Sequence, residues 1–274
     1  TREQFHELKI PTYLLPSDCE AKDNLVGSDG TRLAPFRIDS IYKAVSQLAA
    51  IFDVQARGEQ LNEQLKASLA QSIATAKKQQ RKDVSALVWF SSAEMDIEPF
   101  VAGHKGVPDF MLSTLGVRNV VESDEEWPTV GWETIAKANP TFLVIARMDR
   151  RRFPADDYQK KLAFLPSDSV TRNMDAVKHN RIIILDAMAM QASLRTFDGL
   201  AQLASAINGY DLSGDYFGLP WPCYGTPELK HPGSANLYDT TRHVMDGGGN
   251  FRANFGVERN GKNLLAEDGS YSMG

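Results

Sequence analysis

Apolar positions along most of the chain follow two alternating periods. From Asp39, a suitable N-cap, Ile41, Tyr42, Val45, Leu48, Ala49 and Phe52 recur at three- and four-residue steps, which is the spacing of one helix face. A second stripe, Leu61, Leu65, Leu69 and Ile73, predicts another helix directly after Gly58. Lys77, Lys78, Arg81 and Lys82 stand at its end, where cations favour the helix dipole. Unbroken apolar runs at 86–90, 142–146 and 182–185 have the two-sided hydrophobicity of strands buried on both faces. Helical patterns separate them: 108–115 stopped by Gly116, 131–138 stopped before Pro140, and 198–207 stopped near Gly209. The order predicts an α/β fold, a mainly parallel sheet with flanking helices on both faces. Ahead of it, residues 1–15 predict a short helix with Phe5 and Leu8 on one face, then a strand over 10–15. Beyond Tyr210 the periodic signal ends, and residues 210–274, dense in Gly, Pro, Asn and Asp, form an irregular C-terminal extension.

Composition narrows the function classes. With 274 residues, 42% hydrophobic and 24% charged, the chain is long enough for one large α/β domain or two domains. Lys plus Arg number 30 against 35 for Asp plus Glu, a net charge of −5, so no global basic field is present to hold nucleic acid. No apolar run reaches the roughly 18 residues of a membrane helix, which predicts no direct membrane insertion. Residues 1–15 show neither the basic-then-apolar pattern of an export signal nor a starting Met, so any such signal is removed or was never there. Two cysteines, Cys19 and Cys223, are too few for a disulfide scaffold, are not spaced as a metal pair and leave the redox compartment open.

Most catalytic signatures are missing. There is no G-x-x-x-x-G-K-[ST] loop, and the glycines at 247–249 follow no strand. The five histidines, His6, His104, His179, His231 and His243, lack the spacing that turns two side chains toward one metal ion. No G-x-S-x-G elbow occurs, and Cys19, placed to expose a thiol after the 10–15 strand, has no local base. The arginine-rich cluster at 147–152 directly follows the strand 142–146, and in open α/β sheets ligands lie beyond the carboxyl ends of the strands. A solvated charge run is one reading of it. The other is that Arg147, Met148 or Arg150 faces an anionic or chelated ligand, because guanidinium groups pair bidentately with carboxylates. The same rule selects Phe90, Glu94 and Met95 after the first strand, and Met188, Met190 and Arg195 after the third. Together they have the composition of a small-molecule site, while core packing is the alternative for each member taken alone. Trp127 and Trp132 flank a Pro-containing turn and are explained by packing under a loop. Glu133 falls in the first turn of a helix, where its charge is favoured.

Several blocks in order, HELKIPTYLL, PFVAGHKGVPDFMLSTLGVRNVVES, WPTVGWETIAKANPTFLVIA, DAVKHNRIIILDA and LRTFDGLAQLASAI, carry a family resemblance. Over residues 1–208 the chain resembles the solute-binding proteins of ABC importers for iron-siderophores, haem and cobalamin. The resemblance implies a non-enzymatic protein of two α/β lobes joined by a connecting helix. It would hold a metal chelate or corrinoid ligand in the cleft between them and deliver it to an ABC transporter permease. It also implies a periplasmic location, or a lipoprotein anchor at the surface of a Gram-positive cell. By position, 1–38 would end the first lobe, 39–55 would be the connecting helix and 56–209 the second lobe. The permease contact of the second lobe falls on Glu133. Because the family's first-lobe sheet and its own contact residue precede the segment matching TREQ, that half of the cleft is expected to be missing from this sequence. Residues 217–274 are similar instead to a loop-rich stretch of a formate dehydrogenase molybdopterin subunit. That likeness leaves a fragment or subunit of a molybdopterin-dependent oxidoreductase as the alternative function.

Overall fold

The computed structural model describes residues 2–20, 22–23, 31–78, 83–210, 258–259 and 262–263. The chain divides into two compact units, Thr1–Gly225 and Thr226–Gly274. In the first, helices α1 (Arg2–Glu7) and α2 (Pro16–Cys19) precede the strands β1 (Lys22–Asp23) and β2 (Thr31–Arg32), which pair with each other. Then come α3 (Asp39–Ile51), α4 (Gln55–Lys77), β3 (Ser85–Ser91), β4 (Phe100–Val101), α5 (Val107–Thr114), β5 (Arg118–Asn119), α6 (Trp132–Ala138) and β6 (Phe142–Arg147). The unit continues with α7 (Tyr158–Ser167), α8 (Asp175–Lys178), β7 (Ile182–Asp186) and α9 (Arg195–Gly209).

The three apolar runs of the sequence are β3, β6 and β7, side by side and parallel. On the outer edge of β3, β5 pairs in parallel with its start and the short β4 antiparallel with its end. Successive side chains of these strands enter opposite apolar layers, as the pleat requires. Ala86, Val88, Phe142, Val144, Ala146, Ile183 and Leu185 pack beneath α3, α4, α5 and α9. Leu87, Trp89, Leu143, Ile145 and Ile182 pack beneath α6, α7 and α8. The expected stops also hold: Gly116 takes φ +73° after α5, and Asn139 takes φ 42° to end α6 before Pro140.

Several local expectations are corrected. Residues 10–15 form no strand and stay exposed, because no neighbouring backbone pairs with them and Pro11 lacks a donor. Cys19 therefore follows no strand; it ends the short α2 and is partly buried. The second long helix starts at Gln55, so Gly58 lies inside it. There the missing side chain lets α4 approach α3, since a Cβ on Gly58 would collide with that of Ala49. The helical part of 39–55 is 13 residues long, and the longest helix of this unit is the 23-residue α4. Arg81, Lys82, Cys223, His231 and His243 lie outside the described residues, as does the extension from 211 onward apart from one hairpin. That hairpin pairs β8 (Glu258–Arg259) with β9 (Lys262–Asn263). The sequence joining them is Asn260-Gly261, a strong hairpin signal within a stretch that otherwise lacks period.

Candidate functional site

From β3 the chain crosses through α5, on one face of the sheet, to β5 on its outer edge; from β6 it crosses through α7 and α8, on the other face, to β7. The connections thus part between β3 and β6, and the crevice outside their carboxyl ends is where an open α/β sheet binds ligands. Every ligand-facing residue expected from sequence except Met190 reaches this edge or the loops leaving it.

At the end of β3, Phe90 is half-buried, its ring 4.6 Å from that of Trp127. The following loop exposes Glu94 and packs Met95 on the α6–α7 side. At the end of β6, Arg147 is opposite Asp186 of β7, with 3.6 Å between guanidinium and carboxylate. Met148 is half-buried against the other layer, and Arg150 is exposed. Arg151 is held by Asp157 at 2.9 Å, and the Arg152 guanidinium lies over the Phe153 ring. Beyond β7, Asp186 accepts from the Met188 amide at 2.8 Å, which turns the Met188 side chain outward, 53% exposed. Met190, by contrast, is fully buried in the core, because this short helical turn also buries Ala187 and Ala189 and leaves only Met188 outside. Arg195 opens α9 and is exposed. Among the described residues Arg150 and Arg195 make no ion pair, while Phe90, Trp127 and Met148 pack half-buried on one core layer.

This edge is an open wall. A cavity of about 470 Å³ lies at the opposite end of the sheet, beside Val84, Leu115 and Ile207. A groove of about 660 Å³ runs between α3 and α4 past Phe52 to Leu194. Neither gathers the arginines. Among the described residues no cluster of His, Cys, Asp or Glu is arranged for a metal ion; His104 pairs with Asp109 at 3.1 Å instead. No helix among them is long and apolar enough to cross a membrane. Glu133 stands exposed in the first turn of α6, away from the edge residues in sequence and on its own helix start.

One polar group at the edge was not anticipated. Lys161 of α7 is completely buried, and its ammonium donates to the carbonyls of Trp89, Phe90 and Ala146. Burial pushes its pKa down to about 7, against the opposing pull of Asp156. Asp156, also buried, accepts from the Ser91 hydroxyl and from the Arg152 and Phe153 amides. Burial acts to raise its pKa, but those hydrogen bonds and Lys161 outweigh it and hold the carboxyl below the usual range. The sequence did contain a signal: Tyr158, Lys161, Leu162 and Leu165 share one helical stripe, so a charge occupies a core position. Pro166 and that charge interrupt the apolar pattern and conceal the helix itself.

The family model described as "Periplasmic binding protein" matches residues 1–189, a segment that contains β3, β6, β7 and most of the edge. No curated protein matches the chain by sequence. Among solved structures, a periplasmic binding protein from Veillonella parvula is similar at 21% identity and TM-score 0.60, with 77% of this chain and 66% of that chain covered. A protein of an ABC-type Fe3+-hydroxamate transport system from Saccharomonospora viridis is similar at 20% identity and TM-score 0.57, with 74% and 64% covered. A periplasmic heme binding protein from Pseudomonas aeruginosa is similar at 22% identity and TM-score 0.56, with 75% and 66% covered. The chain therefore spans slightly less than two thirds of the length of each. At these identities the likeness establishes the fold. The formate dehydrogenase likeness concerns residues beyond the matched segment and, the hairpin apart, outside the described ones.

Proposed function

The chain belongs to the periplasmic binding protein family, and from that premise we propose that it is the solute-binding component of an ABC importer whose ligand is an anionic metal chelate. The observation that carries this reading is the exposure of Arg147, Arg150 and Arg195 around the carboxyl ends of adjacent parallel strands, with the Phe90–Trp127 pair at the end of β3. Guanidinium groups at that edge would take the carboxylates or ligating oxygens of a chelate, while the aromatic and Met side chains take its apolar framework. Iron-siderophores and haem have this combination; a cobalamin-like corrinoid is a further member of the same class. A second lobe wall facing this edge would complete the cleft. Arg147 keeps its place through Asp186, and a ligand anion would compete with that carboxylate for the guanidinium. Glu133, on a separate exposed helix start, is the contact we assign to the permease, where an acidic group would meet a basic surface and tune docking.

Titration with haemin, a ferric hydroxamate, a ferric catecholate and cobalamin, followed by Trp emission, tests the reading. Trp127 reports from beside Phe90 and is expected to be quenched by at least one of them. No response to any of these probes refutes it.

A further inference from the structure

Between the ends of β3 and β6, on the α7 side of the sheet, lies a buried cation for which ligand capture by surface arginines has no use. The last paired residues of the two strands are Trp89 and Ile145, so the carbonyls of Phe90 and Ala146 stand where the strands begin to part. The Lys161 ammonium fills that fork, 3.1 Å from the Ala146 oxygen, in hydrogen bond with Phe90 and 5.1 Å from the centre of the Trp89 ring. Asp156 accepts the Ser91 hydroxyl from the β3 end and the Arg152 and Phe153 amides, at 2.6 and 2.8 Å, from the loop that carries Arg150. A single buried network thus ties together the end of β3, the end of β6 and the arginine loop.

We propose that Lys161, anchored by Asp156, is a positioning residue for ligand binding: its amino group fixes Phe90 and Arg147 relative to each other across the fork, and its charge state sets the affinity of the edge. The proposal rests on the binding function proposed above and adds to it a residue that never touches the ligand. Either form can donate to the carbonyls, the ammonium with three protons and the neutral amine with two, and only the ammonium carries a charge that burial disfavours. Burial brings the loss of that charge to about pH 7. Asp156 is the charged group acting on Lys161. Its neighbours Trp89, Phe90 and Ala146 meet it through carbonyls and one ring. Asp157, at the start of α7, is engaged with Arg151 and the Gln159 amide, and Arg152 meets Asp156 through its amide. Because the closed fork lowers the Lys161 pKa, an opening that returns this side chain to water is favoured below pH 7 and opposed above it, so the wall tightens as pH rises through 7.

The test compares wild type with Lys161→Met and Asp156→Asn from pH 6 to 9, with and without haemin or a ferric hydroxamate. In the ligand-free wild type, Trp emission should titrate with a midpoint near pH 7 as the charge beside Trp89 is lost, and amide protection factors at 90–92 and 147–153, with the base-catalysed intrinsic rate divided out, should rise above it. Lys161→Met should abolish that titration. Affinity for the responding probe should rise about tenfold over this range in wild type, the scale of one pKa unit of linkage, and in Lys161→Met should be flat with pH and below the wild-type value at pH 9. A folded Lys161→Met with wild-type affinity and a wild-type pH profile overturns the proposal. If that variant does not fold, the wild-type titration decides alone, and a Lys161 that keeps its charge up to pH 9 overturns it. If neither probe binds at any pH while ligand-free emission and exchange respond as described, the binding reading fails and the network's control of the edge geometry stands.

Discussion

Replacing Lys161 by Met removes a buried charge while keeping the length of the side chain, and the consequence for stability depends on pH in a calculable way. The folded pKa of about 7 stands well below the ordinary lysine value of 10.5. Below pH 7 the ammonium is charged in both states, and the folded state bears the full cost of burying it. As pH rises from about 7 toward 10.5 the folded protein loses this proton before the unfolded chain does, so stability increases by about 1.4 kcal/mol per pH unit. Between pH 6 and 9 this amounts to about 2.5 kcal/mol, after allowance for the curvature near the lower pKa. Met has no such proton, and the difference between wild type and variant cancels every group they share. Urea unfolding at pH 6, 7, 8 and 9, followed by far-UV circular dichroism so that Trp89 emission does not distort the baselines, measures that difference. Wild type should gain on Lys161→Met by about 2.5 kcal/mol across the range, with unchanged m-values. Parallel pH dependences for the two proteins would show that Lys161 is not buried as a titrating cation, and would refute the reasoning.

Gly199→Ala places a Cβ 2.7 Å from Ala189 Cβ and 3.0 Å from Met111 Cε, so it should lower stability by about 1–3 kcal/mol; an unchanged denaturation midpoint contradicts the packing of α9 on the turn after β7. Met188→Ala and Met190→Ala should separate wall from core: the first, at an exposed side chain, should weaken probe binding with little loss of stability. The second should cost about 2–5 kcal/mol, the usual range for a buried Met, and equal losses in calorimetry would place both on the same side of the turn. Glu133→Ala should leave probe affinity intact, change stability by less than about 0.5 kcal/mol and impair uptake in a transport assay; a loss of ligand affinity contradicts its assignment to the permease contact.

The sequence exposes the sheet because β3, β6 and β7 are continuous apolar runs, and among the described residues these runs are buried on both faces. It also exposes the ligand edge, since the residues after such strands must emerge together at their carboxyl ends. Which of them point outward was not legible: Met188 and Met190 differ only in the phase of a short turn fixed by Asp186. The strands β4 and β5 have two residues each, too few to show a period. Helix α7 was concealed for a different reason, in that its core-facing stripe includes a charge. The acceptors that make this charge tolerable, the carbonyls at the ends of β3 and β6, are far away in sequence and invisible until the sheet is assembled.

That interruption and the proposed function have one physical origin. A parallel sheet that opens a crevice between two strands must leave carbonyls at the fork without ladder partners, and buried carbonyls need donors. Water would supply them in an open cleft, but here the α6–α7 layer covers the fork from behind and excludes it. A lysine supplies three donors from one side chain, and its charge, costly in an apolar layer, is compensated by those carbonyls and by Asp156. An apolar residue at 161 would give a smoother helix pattern and take the Lys161 donor away from the carbonyls of Trp89, Phe90 and Ala146. The same position that breaks the sequence rule is therefore the one that holds the rim of the crevice in shape. For this reason Lys161→Met is expected to relieve the cost of a buried charge at low pH while loosening the surface that meets the ligand.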